Sequence, residues 1–551
     1  MEIQSLNKQF EESFRQNWDR PALSNYNGIT YYYKELARKI EKLHIIYQES
    51  GIKPGDKIAI CSRNQVNWGV VFLATMTYGA IPVPLLHDFN PTNIHHLVNH
   101  SESRVLFVGA NIWENIDESQ MPNLDAIIRL DDFTLVHCNN IIIKKSIEVL
   151  NELFGKKFPS HFGPESLNYY EDSRDDLAII NYTSGTSGFS KGVMIPYRAL
   201  SSNIMFAVEV EPHMNNMSNV VSMLPSAHMY GLMFEFLFEM AIGAHVHFLT
   251  RLPTPKIILE AFSSIKPDLV VSVPLIIEKI YKKKLEPIIG RLGTKLLLNI
   301  PVIDLQIHNR INSTLDKTFG NRFSEIIIGG AAFNKEAEAF FKKIGFRYLV
   351  GYGMTECAPI IAYVSWSKTK LYSCGKAAPR MQIKIDSVDP ENITGQILVK
   401  GDNVMLGYYK SEKATAEVFT EDGWMKTGDI GLLDSDGYLF IKGRSKSMIL
   451  GPSGQNIYPE EIESDINNMP YVLESLVISD KGKLIVLICP DYEQVEKEGI
   501  LSSELMDKYK ESLIILNATF PKYSRVSHIE IFPEEFEKTP KKSIKRYLYQ
   551  R

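Results

Sequence analysis

Tyr182-Thr183-Ser184-Gly185-Thr186-Ser187-Gly188-Phe189-Ser190-Lys191-Gly192-Val193 lies between two apolar runs, Leu177–Ile180 and Val193–Ile195. It holds three glycines, five serine or threonine hydroxyls and one lysine. Glycine lets a backbone turn sharply and approach a ligand closely. Hydroxyls and successive backbone N–H groups can surround phosphate oxygens, and a lysine adds a point charge. The run is not a P-loop, because no Gly-Lys-Ser/Thr follows a glycine at that motif's spacing. Taken alone it reads either as a phosphate cradle or as a flexible Ser/Gly loop, and the rest of the chain decides between them.

At 551 residues the chain exceeds one ordinary core, so two or more domains are expected. Hydrophobic content of 44% and charged content of 23% are those of a globular protein. A net charge of −5 offers no global attraction for nucleic acid or an anionic membrane. The five cysteines are scattered without a C-x-x-C pair, which argues against a zinc site or disulfide framework and fits a reducing cytosol. Met1 to Arg15 lacks the apolar core of a signal peptide. The longest uncharged run, Asn64 to Leu86, contains Gly79, Pro82 and Pro84 and so reads as a buried helix and a strand. Lys282-Lys283-Lys284 is ordinarily a solvated face; it limits membrane contact to a peripheral one.

Helix and strand patterns alternate along the first part of the chain. Thr30 is placed to cap a helix through Leu36, Ile40 and Leu43, and Lys57–Cys61 is a short strand. Trp68–Gly79 then Ile81–Pro84, and Ile94–Ser101 then Arg104–Val108, repeat the unit. The pattern predicts an α/β fold of layered, largely parallel sheets, with the Thr183–Lys191 loop near a strand end.

Further motifs follow in order: Leu224-Pro225-Ser226-Ala227-His228-Met229-Tyr230-Gly231, then an apolar helix interrupted by Glu235 and Glu239. A strand at Asp268–Val273 ends in Pro274. The strand Glu325–Ile328 leads to Gly329-Gly330-Ala331-Ala332, and Tyr348–Val350 runs into Gly351-Tyr352-Gly353-Met354-Thr355-Glu356. The strand-rich segment Ser373–Tyr409 precedes Thr427-Gly428-Asp429, and Gly443-Arg444-Ser445-Lys446 comes before Gly451–Tyr458 and a helix opened by Pro459.

This ordered series, spanning about residues 20–546, resembles the acyl-adenylate-forming (AMP-binding) superfamily, and within it the bacterial long-chain fatty acid–CoA ligases. The resemblance implies roles residue by residue. Thr183, Ser184, Gly185, Thr186, Ser187, Gly188 and Lys191 would hold the ATP phosphates. Gly330, Ala331 and Ala332 would pack on adenine, within a nucleotide site that also takes in Gly351, Gly353 and Met354. Tyr352 would stack on the base, Thr355 would bind the α-phosphate and Glu356 would bind Mg²⁺; a π-face, a hydroxyl and a hard oxygen suit those tasks. Asp429 would accept from the ribose hydroxyls and Arg444 would contact ribose or phosphate. His228, Met229, Tyr230, Gly231, Val273 and Pro274 would line the acyl site, with the side chain at His228 gating it. Residues 1–442 would form the large N-terminal AMP- and acyl-binding domain with a β-rich subdomain. Residues 443–446 would be a hinge centred on Lys446, and 447–551 a small mobile α+β domain.

The tail departs from the family. A Thr-x-x-x-Lys-Ile/Val-x-Arg pattern is usual, its lysine bridging the acyl carboxylate and the phosphates. Here Thr539-Pro540-Lys541-Lys542-Ser543-Ile544-Lys545-Arg546 puts Ser543 at the lysine's place. Serine cannot supply the cation, and either Lys541 or Lys542 substitutes or the first half-reaction is weakened; Lys542 is the candidate carried forward. Gln396 and Ser447 likewise stand where family members usually have acids.

The resemblance implies ATP-dependent activation of a long-chain fatty acid to acyl-AMP, then transfer to CoA, with ATP, Mg²⁺ and CoA required. Three alternatives stay open: an acyl-AMP ligase loading an acyl carrier protein, a ligase for another carboxylate, and a non-catalytic nucleotide or acyl-AMP binding protein. Chain length and oligomeric state are not legible.

Overall fold

A computed structural model of the chain describes residues 5–183, 190–281, 301–451, 455–480, 482–539 and 544–551, with backbone only at 301–305. The expectations for Ser184, Gly185, Thr186, Ser187, Gly188, Lys282 to Lys284, Lys541, Lys542 and Ser543 lie outside the described residues.

Three sheets carry the parallel character. In one, Lys57–Cys61, Ile81–Leu85, Ser103–Val108 and Ala126–Arg129 run parallel, and Leu135–Cys138 closes the edge antiparallel. The helix Val66–Thr77 makes the crossover from Lys57–Cys61 to Ile81–Leu85 and is buried along its whole length. A helix apolar on all sides belongs in a core. Its two late threonines satisfy their hydroxyls on the preceding turn, Thr75 at Val71 O (2.8 Å) and Thr77 at Leu73 O (2.6 Å). A second sheet joins Asn219–Ser222, His245–Phe248 and Pro21–Asn25 in parallel, with Thr30–Tyr32 antiparallel at its edge. A third is the parallel trio Val270–Ser272, Ile326–Ile328 and Tyr348–Val350.

Two local readings need correction. Thr30 lies in a strand, and the helix it was expected to cap spans Tyr33–Glu49 behind Tyr32, whose N–H donates to Glu35 Oε2 at 2.9 Å. The glycine-rich loop follows a strand end, as its flanking apolar runs predict. It connects the antiparallel strands Leu177–Thr183 and Lys191–Pro196, with Thr183 opposite Lys191. A connection this short joins only antiparallel neighbours. The expected helix at 233–240 is broken: Met233–Leu237 forms a π-helical turn between the short helices Met229–Leu232 and Phe238–Ile242. At that turn Glu235 Oε2 accepts the N–H groups of Met223 (3.0 Å) and Leu224 (2.9 Å).

An antiparallel sheet of Met381–Asp386, Gly395–Gly401, Met425–Leu433 and Leu439–Arg444 follows. From Ile449 onward the chain builds separate apolar cores around residues such as Ile466, Val486, Ile488 and Tyr509. Gly443 and Arg444 complete the last strand of the preceding sheet, and the chain turns at 445–447. Lys442 Nζ to Glu461 Oε1 (3.1 Å) and Thr394 Oγ1 to Tyr458 Oη (2.7 Å) bridge the two parts. Among the described residues no helix is long and apolar enough to cross a membrane.

Candidate functional site

The carboxyl ends of the third sheet set the centre. Ile326–Ile328 runs directly into Gly329 and Gly330, and Tyr348–Val350 into Gly351, whose N–H donates to Ile328 O at 2.9 Å. Ligands in α/β sheets gather at such strand ends. Gly330 has φ +89°, a left-handed value that favours glycine, and a Cβ there would meet only Val273 Cγ1, at 3.8 Å. Gly330, Ala331 and Ala332 are exposed, an open ledge of small residues. Gly353 is required for a different reason: a Cβ would stand 2.3 Å from Pro359 O.

Two sets of polar contacts hold the neighbouring Gly351–Glu356 turn. Tyr352 is buried and donates its phenolic hydrogen to Asp429 Oδ2 at 2.6 Å. Asp429 faces Arg444 across paired strands, with Arg444 Nε 3.4 Å from Asp429 Oδ1. Burial pushes the Asp429 carboxyl above its ordinary value, with Arg444 and the Tyr352 hydroxyl opposing the shift. In the second set, Lys191 Nζ lies 4.6 Å from the centre of the Tyr408 ring, and Tyr408 Oη donates to Glu356 Oε1 at 3.0 Å. Met405 N–H donates to Glu356 O at 2.9 Å, fixing the same turn. The glycine-rich hairpin, the Gly351–Glu356 turn and the 405–408 segment therefore meet at Lys191, Tyr408 and Glu356. Thr355, between Met354 and Glu356, is buried.

An apolar cavity of ≈ 50 Å³ starts at Gly353 and Thr355 and runs beneath helix Tyr197–Val210. Phe206, Val210, Phe234, Leu269, Ile327 and Ile360 supply its walls. Ligand pockets commonly hold several hundred Å³, so these walls must part to admit an acyl chain. His228 and Tyr230 line the cavity; His228 Nδ1 accepts Tyr230 N–H at 3.3 Å at the start of a helix. Tyr230 Oη donates to Ile327 O at 3.1 Å. Met229 turns into the core, and Gly231 packs where a Cβ would meet Leu224 Cβ at 2.9 Å, so neither is part of the lining. Val273 lies beside Gly330, with Pro274 starting the next helix. Lys446 is exposed in the turn after Arg444.

Sequence reasoning missed Tyr408, and it missed Glu211 and Tyr363, which line the far side of the cavity. Tyr408 sits in a stretch already singled out, behind Gly407 at φ +144°, but its link to Glu356 spans 52 positions.

The sequence matches the family model described as "AMP-binding enzyme" over residues 10–409. The long-chain-fatty-acid–CoA ligase of Salmonella typhimurium is 26% identical over 485 residues, covering 84% of this chain and 80% of that one. Long chain acyl-CoA synthetase 6, peroxisomal, of Arabidopsis thaliana is 27% identical over 531 residues, covering 88% and 72%. Among solved structures, ATP-bound MatB from Rhodopseudomonas palustris superposes with a TM-score of 0.77 at 21% identity, over 99% of this chain and 98% of that one. Motif order, strand-end geometry and a match across most of its length agree that this chain belongs to the AMP-binding enzyme family.

Proposed function

We propose that the protein converts a long-chain fatty acid to its acyl-AMP at the expense of ATP and passes the acyl group to the thiol of CoA. The observation that carries this reading is one juxtaposition. The groups suited to a nucleoside triphosphate, Tyr352 with Asp429 and Glu356 with Tyr408 and Lys191, meet on the same turn whose Gly353, Met354 and Thr355 line an apolar cavity. Relatives at 25–27% identity that are named long-chain fatty acid–CoA ligases or acyl-CoA synthetases support the substrate.

In the first step a carboxylate oxygen attacks the α-phosphorus of ATP; a P–O bond forms, the bond to the β-phosphate breaks and pyrophosphate leaves. In the second the CoA sulfur attacks the acyl carbon, the C–O bond to AMP breaks and the thiol proton is lost. The protein's task is to position reactants and balance phosphate charge. Thr355 contacts the α-phosphate, Lys191 the outer phosphates, Tyr352 the base, and Asp429 with Arg444 the ribose. Mg²⁺ asks for one or two carboxylates plus phosphate oxygens and water. Glu356 fits that demand, as a half-buried carboxylate oriented through Oε1 by Tyr408. When bound, the ion neutralises phosphate charge. Between steps the part beyond Lys446 rotates, bringing first the tail lysines and then the Gly451–Tyr458 loop to the site.

The test separates the half-reactions. The protein is incubated with MgATP and palmitate, with and without CoA, and pyrophosphate and palmitoyl-CoA are followed; palmitoyl-AMP plus CoA is run in parallel. Palmitoyl-CoA from ATP supports the whole reading. Product only from palmitoyl-AMP means that Ser543 has disabled adenylation. No product from either start overturns the palmitate–CoA assignment and moves weight to another acid, a carrier protein or a binding role.

A further inference from the structure

The far end of the cavity is polar. Ile327, in the strand Ile326–Ile328, supplies part of one wall, and Gly329 and Gly330 follow the strand and also line the cavity. Ser324 and Glu325 precede the strand, at its end opposite Gly329 and Gly330. The antiparallel strand Ile360–Tyr363 gives the same depth reading: Ile360 pairs with Gly353 near the nucleotide, and Tyr363 lies at the strand's other end. Tyr363 and Glu211 both line the cavity there.

These groups form one network. Tyr363 donates its hydroxyl to Glu325 Oε1, and Trp366 N–H donates to Glu325 Oε2 at 3.0 Å. Ser324 Oγ donates to Glu211 Oε2 at 3.0 Å, and His213 Nδ1 lies 3.4 Å from the same oxygen. Glu211 Oε1, on a residue only 3% exposed, receives no hydrogen bond. Burial and the neighbouring Glu325 push the Glu211 carboxyl well above its ordinary value. Burying two carboxyls beside an apolar cavity is costly. A methyl terminus packed there would add nothing to their solvation.

Resting on the acid-activating role proposed above, we infer that Glu211 and Tyr363 make the floor of the acyl pocket a hydrogen-bonding wall. The acid accepted then carries a hydrogen-bond donor, a hydroxyl or an ammonium, at the end remote from its carboxyl. A site arranged to pair a polar group discriminates against the analogue lacking it, here by at least about tenfold.

The experiment compares saturated acids from octanoic to hexadecanoic with their ω-hydroxy and ω-amino counterparts. Pyrophosphate release gives kcat/KM, and calorimetry gives the affinity of the acids with no turnover required. At the best-fitting length the wild type is expected to favour an ω-substituted acid by tenfold or more in both readouts. Glu211→Leu should reverse the preference. Glu211→Gln, an isostere that preserves the fold if leucine does not, should keep the hydroxyl preference and lose the ammonium one; Tyr363→Phe should lessen both. Equal or better binding of the plain alkyl acid at every length overturns the inference. Failure of pyrophosphate release with the binding preference retained would count against the activity and leave the floor assignment standing.

Discussion

Tyr352 Oη and Asp429 Oδ2 lie 2.6 Å apart, in a buried hydrogen bond between residues separated by 77 positions. It ties the turn at the strand end to the sheet that carries Arg444. Tyr352→Phe would leave that carboxylate oxygen without its donor, which commonly costs about 1–3 kcal/mol. The Kd for ATP, measured by calorimetry, is expected to rise about tenfold, and Asp429→Ala to raise it further. An unchanged Kd in both variants would remove the pair from the nucleotide site.

Glu356 and Tyr408 give a graded prediction. Glu356→Gln should lower kcat/KM for pyrophosphate release about a hundredfold or more and shift the magnesium dependence to higher concentration. Tyr408→Phe removes only the hydrogen bond that orients Glu356 and should cost about tenfold. Similar losses from both would mean that Tyr408 acts by some route other than Glu356.

The tail substitution separates two explanations of Ser543. If Lys542 supplies the missing cation, Lys542→Ala should reduce pyrophosphate release about a hundredfold while palmitoyl-AMP plus CoA still yields thioester. Equal loss in both half-reactions would instead indicate damage to the small core.

That core has its own weak point. Arg546 forms an ion pair with the buried Glu463, which also accepts Val477 N–H at 2.6 Å. Burial pushes the Glu463 carboxyl up to about 7 despite the opposing charge of Arg546. Arg546→Met strands this carboxyl and should destabilise residues beyond 446 by about 3 kcal/mol. Limited proteolysis should then cleave that part first, leaving the large part protected.

A pH effect follows from Glu239, which is fully buried, with neither carboxylate oxygen hydrogen-bonded. Burial pushes its pKa from 4.5 up to about 8. Below about pH 4.5 both folded and unfolded chains hold the proton, and the contribution is complete. It is lost as pH rises towards 8, because only the unfolded chain ionises freely, at about 1.4 kcal/mol per pH unit. Urea midpoints at pH 5.5, 7 and 8.5 should fall more steeply for the wild type than for Glu239→Gln. Parallel curves would show that the site does not titrate in this way.

Much of the architecture was legible from period and punctuation. Val66–Thr77 and Ile81–Leu85 fell close to where an uncharged run broken by Gly79 and Pro82 placed them. Local pattern failed where distant partners decide. Thr30 had the chemistry of a helix cap, yet strand pairing with Ser24 claimed it. Glu235 interrupts an apolar run for no local reason; two backbone N–H groups eleven and twelve residues upstream account for it. At the site, the glycines of 329–330 and 351–353 were legible because they answer to backbone geometry nearby. The cavity floor stayed hidden, since Glu211, Glu325 and Tyr363 meet only after three separate elements pack.

Asp429 and Arg444 face each other on the two final strands before the chain turns away at 445–447. On the proposed roles, the groups that would hold the ribose stand beside the hinge proposed at Lys446. A nucleotide gripping both strands would stiffen the pivot itself, and loss of AMP would slacken it. Product departure and the resetting of the small core would then be one mechanical event, timed by the ribose and not by the acyl chain.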